Sequence, residues 1–200
     1  MSEQVLVFPS HLLNGITFEN GLLADSVLTE NVLNNFLLQS FFMDRDKAET
    51  DENFRQLIPY AVICQDDKIF CYKRTSKGGE KRLHQLRSIG VGGHCSPPDG
   101  EVVNPETFWK CFEREIEEEV GLKGNFGYQV FGLINDTSTE VWRVHCGVLI
   151  GVGIAPGIQL TLKDKALGDW GWETPEMLKK FVNDPNTFEG WSEILIKEMF

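Results

Sequence analysis

Three glutamates near the middle of the chain are spaced so that together they could bind one divalent cation. Glu115, Glu118 and Glu119 stand at positions i, i+3 and i+4 of a stretch with helical periodicity, so their side chains converge on one face. Like charges at these spacings destabilise an isolated helix by roughly a few tenths of a kcal/mol per pair. A solvated acidic helix face is the plain alternative. A hard cation such as Mg²⁺, which prefers oxygen ligands, would relieve the repulsion, and we therefore predict a metal site here.

The helix that carries these glutamates has clear limits in the sequence. Asn104 suits the N-cap, Pro105 the first helical position and Gly121 the residue just past the end. Apolar residues then recur at helical spacing along one broad stripe, formed by Phe108, Trp109, Phe112, Ile116 and Val120. We therefore expect a helix over residues 105–120 with one buried face.

The position of Glu119 strengthens the case for a bound cation. Its side chain would project between the directions of Phe108 and Phe112, at the edge of the buried stripe, where a carboxylate needs a counter-charge. Arg114 can reach Glu118 at i+4, but one arginine cannot balance three acids.

A longer pattern surrounds these residues. It consists of Gly100, five residues, Glu106, seven residues, and then the run R-E-I-E-E-E-V-G-L from Arg114 to Leu122. This resembles the Nudix box, G-x5-E-x7-R-E-U-x-E-E-x-G-U with U aliphatic, at every specified position. Chance agreement at the fixed positions has a probability on the order of 10⁻⁹ per starting point. The chain is therefore identified as a member of the Nudix (MutT-like) hydrolases. The segment from Gln56 to His94 is similar to a bacterial subgroup of predicted phosphoesterases.

The resemblance implies a fold, a reaction and a cofactor. The fold would be an α/β/α sandwich with a mixed sheet. The reaction would be hydrolysis, by metal-activated water, of a diphosphate bond in a nucleoside diphosphate linked to another group, or in a related organic pyrophosphate. Mg²⁺ would be the cofactor, with Mn²⁺ as an alternative ion. The partner is a small phosphorylated molecule, and a homodimer is compatible with the family.

Individual residues acquire roles by their position in the box. Glu115, Glu118 and Glu119 would be the principal metal ligands, and one of them would orient or deprotonate the attacking water. The carbonyl of Gly92 would complete the metal site, and Arg114 would steady the glutamates. Structural roles in the box would fall to three further residues: Gly100, Gly121 and Glu106, which would support the junction of loop and helix.

Residues outside the box remain open in role. Family members often take another base or metal ligand from a late loop, and Asp164 and Asp169 are the candidates here. The turn between Gly93 and Gly100 is two residues longer than in many relatives. Within it, His94 and Cys95 either face the ligand or serve only the structure of the loop.

A basic segment precedes the glycines and could select the substrate. Between Lys68 and Arg87 the acidic residue is Glu80 alone, beside seven basic ones: Lys68, Lys73, Arg74, Lys77, Lys81, Arg82 and Arg87. The guanidinium groups of Arg74, Arg82 and Arg87 could bind phosphate oxygens bidentately. A solvated basic loop is the alternative. The submotifs that mark ADP-ribose, dinucleoside-polyphosphate, coenzyme A and NADH hydrolases are missing, with Thr137, Ser138 and Thr139 at the informative positions.

Two other functions share this fold. An isopentenyl-diphosphate isomerase would use a cysteine and a glutamate, which draws attention to Cys95, but such enzymes usually lack an intact box. A non-catalytic Nudix module that senses a nucleotide would keep the fold while losing box carboxylates, whereas all three remain here.

Several further elements must position the box. We predict a hairpin of strands over 58–65 and 69–73, a short strand at 88–93, and further strands over 128–134, 141–154 and 158–162. A helical stretch over 26–42 precedes the charged run 43–55. Thr174 and Pro175 begin one closing helix, and Trp191, Ile194, Leu195 and Met199 line one face of the last. Residues 1–56 would form an N-terminal extension packed on a Nudix domain of residues 57–200.

Composition limits the remaining classes of function. A net charge of −11 argues against nucleic-acid binding, since a phosphate backbone would repel such a surface. The chain shows no signal-peptide pattern and no membrane span, so we expect a cytoplasmic location. The five cysteines lack close C-x-x-C spacing, and reduced, mostly buried thiols are expected.

Overall fold

The computed structural model describes residues 2–77, 83–100, 102–124 and 126–200, and places ten strands and five helices within them. The strands are β1 (Gln4–Pro9), β2 (Leu22–Leu23), β3 (Phe41–Asp44), β4 (Phe54–Gln65), β5 (Lys68–Arg74), β6 (Arg87–Ser88), β7 (Gly90–Val91), β8 (Gly127–Ile134), β9 (His145–Gly153) and β10 (Leu167–Glu173). The helices are α1 (Ser26–Leu38), α2 (Arg45–Ala48), α3 (Pro105–Val120), α4 (Pro175–Val182) and α5 (Gly190–Met199).

The strands belong to one large sheet. Hydrogen-bonded neighbours follow the order β10-β5-β4-β9-β8-β2; in addition, β1 and β7 pair with β4, β6 pairs with β5, and β3 pairs with β1. The predicted α/β class with a large mixed sheet is thereby confirmed.

The chain divides into two compact units. The first comprises Met1–Tyr60, Gly92–Arg114 and Val130–Ile150. In it β1 pairs antiparallel with β3, and its last three residues pair with the start of β4. The side chains of Val5 and Val7 pack with Ala48 of α2 and are removed from solvent. The N-terminal segment is therefore joined to β4 by main-chain hydrogen bonds, and the domain boundary after residue 56 stays a prediction.

The second unit comprises Ala61–Val91, Glu115–Gln129 and Gly151–Phe200. Its first feature is the predicted hairpin, in which Cys64 pairs with Ile69 and Gln65 with Lys68. Asp66 takes the left-handed conformation that this tight turn requires, with φ 55°. Strand β5 then pairs with β10 on its other side. Helix α4 begins as predicted, because the Thr174 side chain caps it and Pro175 follows.

Helix α3 has the predicted limits. The Asn104 side chain accepts a hydrogen bond from the Thr107 amide at 3.1 Å, which satisfies one of the free N–H groups at the helix start. Gly121 ends the helix with φ 68°, a conformation that strains residues with a Cβ atom. The apolar stripe is also confirmed, with Phe108, Phe112 and Ile116 essentially inaccessible to solvent.

Three predicted elements contain errors: one is not a strand, and two are present with shorter bounds. Residues 158–162 form no strand: the amides of Thr161 and Lys163 donate to the carbonyls of Val120 and Glu119, so this segment caps the end of α3 instead. The strand in this region is β10, which begins at Leu167. Residues 142–144 form a 3₁₀ turn, so the strand expected from residue 141 begins at His145.

The third error lies in the N-terminal segment. The helix expected to reach residue 42 ends at Leu38, and Phe41–Asp44 forms β3. The register of β3 pairs Phe42 with Leu6 of β1. The hydrogen bonds of Phe41–Asp44 with the buried strand β1 therefore replace a continuation of helix α1.

Candidate active site

The three box glutamates lie on the part of α3 that belongs to the second unit. Glu115 and Glu119 are half-buried and Glu118 is exposed. One carboxylate oxygen of Glu119 is inaccessible to solvent. The expected position of Glu119 at the edge of the apolar stripe agrees with this burial, since Ile116 and Val120 beside it are fully buried. A carboxylate in such a place is stabilised by positive charge close by.

Arg74 of β5 supplies positive charge in the same neighbourhood. Its guanidinium carbon lies 5.7 Å from the centre of the Tyr72 ring. Burial raises the pKa of the Tyr72 phenol above its ordinary value; the charge of Arg74 lowers that pKa, and the charges of Glu119 and Glu189 raise it further. Arg74 and Glu119 thus both act electrostatically on the Tyr72 phenol, and the substrate-binding role of Arg74 stays a prediction.

Glu189 belongs to a buried polar network beneath this region. Its carboxylate oxygen Oε1 accepts hydrogen bonds from the hydroxyls of Ser88 and Ser192, both at 3.0 Å. The Ser192 hydroxyl oxygen in turn accepts from the Ile89 amide at 2.9 Å. These bonds tie β6 to the start of α5, and all three polar side chains are withdrawn from solvent. The Tyr72 hydroxyl donates to the Gly90 carbonyl at 2.9 Å and is fixed by the same segment.

Arg87 is engaged elsewhere. Its Nη2 lies 3.3 Å from Oε1 of Glu173, and its Nε donates to the Cys71 sulfur at 3.4 Å. The guanidinium also lies over the Phe181 ring, 5.5 Å from the centre. These contacts tie β6 to β10 and α4, and the role of Arg87 in binding substrate stays a prediction. Arg82, the third predicted phosphate-binding arginine, lies outside the described residues.

The late-loop aspartates have local partners. The Asp164 side chain accepts a hydrogen bond from the Ala166 amide at 2.8 Å and so closes its own turn. Asp169 is exposed and takes φ 44° at the irregularity of β10, between Gly168 and Gly171. Its charge acts on Cys71 and Arg87. The role of either residue as base or metal ligand stays a prediction.

In the first unit, Arg114 holds the enlarged turn after Gly93. Its Nε and Nη2 bind the two carboxylate oxygens of Asp99 at 2.6 and 3.0 Å, and Nη2 also donates to the His94 carbonyl at 3.0 Å. Asp99 is almost completely buried and also accepts from the Ser96 amide at 2.9 Å. The box arginine therefore fixes both ends of this turn.

Gly92, the predicted carbonyl ligand ahead of the box, and the box residues Gly100 and Glu106 have the following surroundings. A Cβ atom on Gly92 would lie 1.8 Å from the Pro59 carbonyl oxygen, so only glycine allows this approach of two main-chain segments. At Gly100 a Cβ atom would lie 2.7 Å from the Thr107 hydroxyl. Glu106 is exposed and pairs with Lys110 on its own helix at 3.5 Å. The bonds of Arg114, Asn104 and Thr107 hold the junction of loop and helix, and the supporting role of Glu106 stays a prediction.

His94 lies against a second histidine, His145. Their Nε2 atoms are 3.3 Å apart, and Nδ1 of His145 lies 2.6 Å from the Val141 carbonyl oxygen. Burial lowers the pKa of His94 well below its ordinary value, and the charges of His145 and Arg45 lower it further. The Glu49 carboxylate completes the group, with one ligand atom of each residue within 4.8 Å of the others.

Cys95 is completely buried. Its sulfur points to the Leu57 carbonyl at 3.8 Å, and its own carbonyl accepts from the Leu6 amide. These contacts favour a structural role for Cys95. The isomerase alternative, which Cys95 suggested, is therefore not favoured.

Four residues of these clusters were not anticipated from sequence: Asp99 as the partner of Arg114, Tyr72 beside Arg74, and Glu49 and His145 beside His94. The turn from His94 to Asp99 is longer than in many relatives, but no local sequence pattern connects it to positions 49 and 145. In the described part of the chain, no helix is both long and apolar enough to cross a membrane.

Comparisons with known proteins complete this description. No family model matches the chain. Protein YmaB of Bacillus subtilis strain 168 is 33% identical over 201 residues, which cover 98% of this chain and 97% of the relative. The crystal structure of Tm1382, assigned as a Nudix hydrolase, superimposes with a TM-score of 0.77 at 34% identity, covering 98% of this chain and 97% of that chain. Both alignments therefore include nearly all of the N-terminal segment.

More distant structures agree in fold alone. DR0079 of Deinococcus radiodurans has a TM-score of 0.56 at 14% identity, covering 72% of this chain and 82% of its own. The NUDIX domain of Shewanella oneidensis NrtR, crystallised with ADP ribose, has a TM-score of 0.51 at 14% identity, covering 72% of this chain and 86% of its own.

Proposed function

Because this chain belongs to the Nudix hydrolases, enzymes that act on phosphoric anhydride bonds, we propose that it is a Mg²⁺-dependent diphosphate hydrolase. Its substrate would be a nucleoside diphosphate linked to another group, or a related organic pyrophosphate. The products would be a nucleoside monophosphate and the phosphorylated second group. The observation that carries the proposal is the intact set of three box glutamates on α3, where Glu119 has one carboxylate oxygen inaccessible to solvent.

The donor set suits the proposed cation. Glu115, Glu118 and Glu119 offer only carboxylate oxygens as ligands. Hard oxygen ligands of this kind suit Mg²⁺ better than they suit softer metal ions. One oxygen of Glu119 is buried, so a cation there would offset the cost of its desolvation. Bound Mg²⁺ would neutralise diphosphate oxygens and lower the pKa of a bound water. The Gly92 carbonyl as a further ligand stays a prediction.

Different side chains would bind the substrate and activate the attacking water. Arg74 would bind the diphosphate oxygens, for which its planar guanidinium is well shaped. One box glutamate would accept a proton from the attacking water, and Glu118, the exposed one, is the candidate. Phosphoryl transfer chiefly needs positioning and charge stabilisation, so no covalent intermediate is expected.

A substrate screen tests the proposal. The purified chain is incubated with Mg²⁺ and nucleoside triphosphates, nucleotide sugars, ADP-ribose, dinucleoside polyphosphates and isoprenoid diphosphates. ADP-ribose is included among the substrates because the NrtR domain was crystallised with it. Mass spectrometry in H₂¹⁸O identifies the products and the phosphorus that is attacked. Glu118→Gln should lower kcat by roughly 10²–10⁴-fold, whereas the control Glu113→Gln, an exposed glutamate of the same helix at an unspecified position of the box, should leave kcat unchanged.

Three results would contradict the proposal. Isomerised isopentenyl diphosphate without phosphate release would indicate an isomerase. Tight nucleotide binding without turnover of any substrate would indicate a sensor. Unchanged turnover in both Glu118→Gln and Glu119→Gln would remove the metal-site assignment.

The homodimer and the cytoplasmic location also stay predictions. Light scattering after gel filtration would test the homodimer.

A further inference from the structure

Glu49, His94 and His145 bring three metal-binding side chains together in the first unit. They come from the end of α2, from the turn after Gly93 and from the first residue of β9. One carboxylate oxygen of Glu49 and one ring nitrogen of each histidine all lie within 4.8 Å of one another. His145 is buried, and the other two residues are half-buried. None of these residues belongs to the Nudix box.

The distance between the two histidines equals the separation of two metal-bound nitrogens. Their Nε2 atoms are 3.3 Å apart. Two imidazole nitrogens bound to Zn²⁺ at about 2.0–2.1 Å with tetrahedral angles stand roughly 3.3–3.4 Å apart. The rings therefore already have the spacing that a shared tetrahedral ion requires.

The tautomer of His145 also suits a metal ligand. Its Nδ1 lies 2.6 Å from the Val141 carbonyl oxygen, and a carbonyl only accepts, so Nδ1 carries the hydrogen. In the neutral ring Nε2 then keeps its lone pair, and that atom faces Nε2 of His94. Metal-bound histidines almost always donate their other ring N–H to a carboxylate or a carbonyl in this way.

The other two residues are held in place by arginines. Oε1 of Glu49 lies 3.5 Å from Nε of Arg45, and Nη1 of Arg45 is 2.8 Å from Glu3. The two carboxylates offset the charge of Arg45 beside the site. The main chain of His94 is fixed by Nη2 of Arg114, which donates to its carbonyl at 3.0 Å. Glu49 and His145 thus have contacts to their ligand side chains, and His94 has a contact that fixes its main chain.

The geometry points to a second metal site, formed by Glu49, His94 and His145, that binds one divalent transition metal of the Zn²⁺ type. Two imidazoles and one carboxylate suit Zn²⁺ and its neighbours rather than Mg²⁺, while the all-carboxylate set on α3 has the opposite preference. Three protein ligands leave a fourth tetrahedral position open for water or another small ligand. The proposal does not depend on the hydrolytic activity.

Cobalt titration tests the site directly. The full-length protein is treated with a chelator, dialysed, and titrated with Co²⁺ in the presence of a large excess of Mg²⁺, which keeps the carboxylate site on α3 occupied. We expect one equivalent of Co²⁺ with the intense visible absorption of a tetrahedral complex, and its displacement by one equivalent of Zn²⁺. Calorimetry with Zn²⁺ gives the affinity independently.

Matched variants locate the ion. His94→Ala and His145→Ala should each weaken Zn²⁺ binding by at least about 100-fold, since loss of a mere supporting contact costs roughly 10–100-fold. His11→Ala, a change of the same type at an exposed histidine, should have no effect. Glu118→Gln, which alters the box, should also leave the Co²⁺ spectrum unchanged. Circular dichroism confirms that each variant is folded.

The wild-type protein provides a test that needs no substitution. In ¹H–¹⁵N spectra of histidine-labelled protein, Zn²⁺ should shift the Nε2 resonances of two histidines and leave the other two unchanged. Absence of a retained Co²⁺ equivalent under excess Mg²⁺, or unshifted rings, would show that the two histidines form only a metal-free N–H···N hydrogen bond. Loss of the Co²⁺ spectrum in Glu118→Gln but not in His145→Ala would place the ion in the box instead. Any of these results overturns the proposal.

Discussion

Arg114 binds Asp99 through two parallel hydrogen bonds, Nε to Oδ1 at 2.6 Å and Nη2 to Oδ2 at 3.0 Å. The arginine of the box thereby holds the turn that precedes the helix, and its role in steadying the glutamates stays a prediction. Only 2% of the Asp99 side chain is exposed, against 27% of Arg114, so the aspartate would be left as an uncompensated buried charge without its partner. The bidentate geometry also explains why arginine is needed, because the ammonium group of lysine lacks the planar fork.

Asp99→Asn should therefore destabilise the protein substantially. Breaking a buried pair costs about 3–5 kcal/mol, and the partial exposure of Arg114 puts the expectation near the lower end. Urea unfolding followed by circular dichroism measures the change. The control is Glu52→Gln, which breaks the exposed pair of Glu52 with Arg143 at 2.9 Å and should cost less than about 1 kcal/mol. Equal losses in the two variants would mean that the Asp99 pair is not a buried interaction.

Helix α3 shows how much of the site is local in sequence. A cap, a proline at the first position, a periodic apolar stripe and a final glycine all lie within 18 consecutive residues, Asn104 to Gly121, so its limits could be predicted to the residue. The glutamates follow from the same periodicity, and so does the half-burial of Glu119. Propensity, pattern and capping agree there.

The sequence-based predictions of secondary structure are wrong where residues distant in sequence form main-chain hydrogen bonds with each other. Residues 158–162 have the apolar alternation of a strand, but the amides of Thr161 and of Lys163 just after it bind the free carbonyls at the end of α3. Phe41 and Phe42 continue a helical composition, yet β1 offers them a pairing edge. Likewise the partner of His94 is 51 residues away, so no spacing rule could find it.

Gly92 offers a second test of stability. A Cβ atom there would lie 1.8 Å from the Pro59 carbonyl oxygen and 3.0 Å from its carbonyl carbon, and both belong to the main chain of β4. Gly92→Ala must therefore shift a strand and should lower the free energy of unfolding by roughly 1–3 kcal/mol. Gly153→Ala is the matched control, because a Cβ atom at this exposed strand position meets nothing within 4 Å. Similar unfolding midpoints for the two variants would argue against the close approach of Gly92 to Pro59.

The buried thiol of Cys71 should make the free energy of unfolding depend on pH in the alkaline range. Burial raises the pKa of its thiol above the ordinary value of 9.0; the hydrogen bond and charge of Arg87 lower it, while the charges of Glu173 and Asp169 raise it. Because the folded pKa exceeds the unfolded one, the contribution to stability is complete below pH 9.0 and is lost as the pH rises through the folded pKa.

Unfolding free energies measured in urea from pH 8 to pH 10.5 test this linkage. The wild-type curve should fall more steeply than that of Cys71→Ala, by at most about 1.4 kcal/mol per pH unit. The comparison uses slopes, so a constant loss of packing in the variant does not matter. Parallel curves would show that the thiol titrates equally in the folded and unfolded chains.

Arg74 gives the sharpest test of how this hydrolase would recognise its substrate. Residues 72 and 74 share one face of β5, and Arg74 lies over the Tyr72 ring, while Lys73 points to the other face. Charge-assisted hydrogen bonds are each worth about 1.5–3 kcal/mol, so Arg74→Gln should lower kcat/KM for the best diphosphate substrate by roughly 10–100-fold. Lys73→Gln removes the same charge from the neighbouring position and should change kcat/KM less than about threefold, since a more distant charge is screened by solvent. Steady-state kinetics at constant ionic strength measures both, and an equal decrease in the two variants would assign the effect to the net charge of the basic segment rather than to a contact made by Arg74.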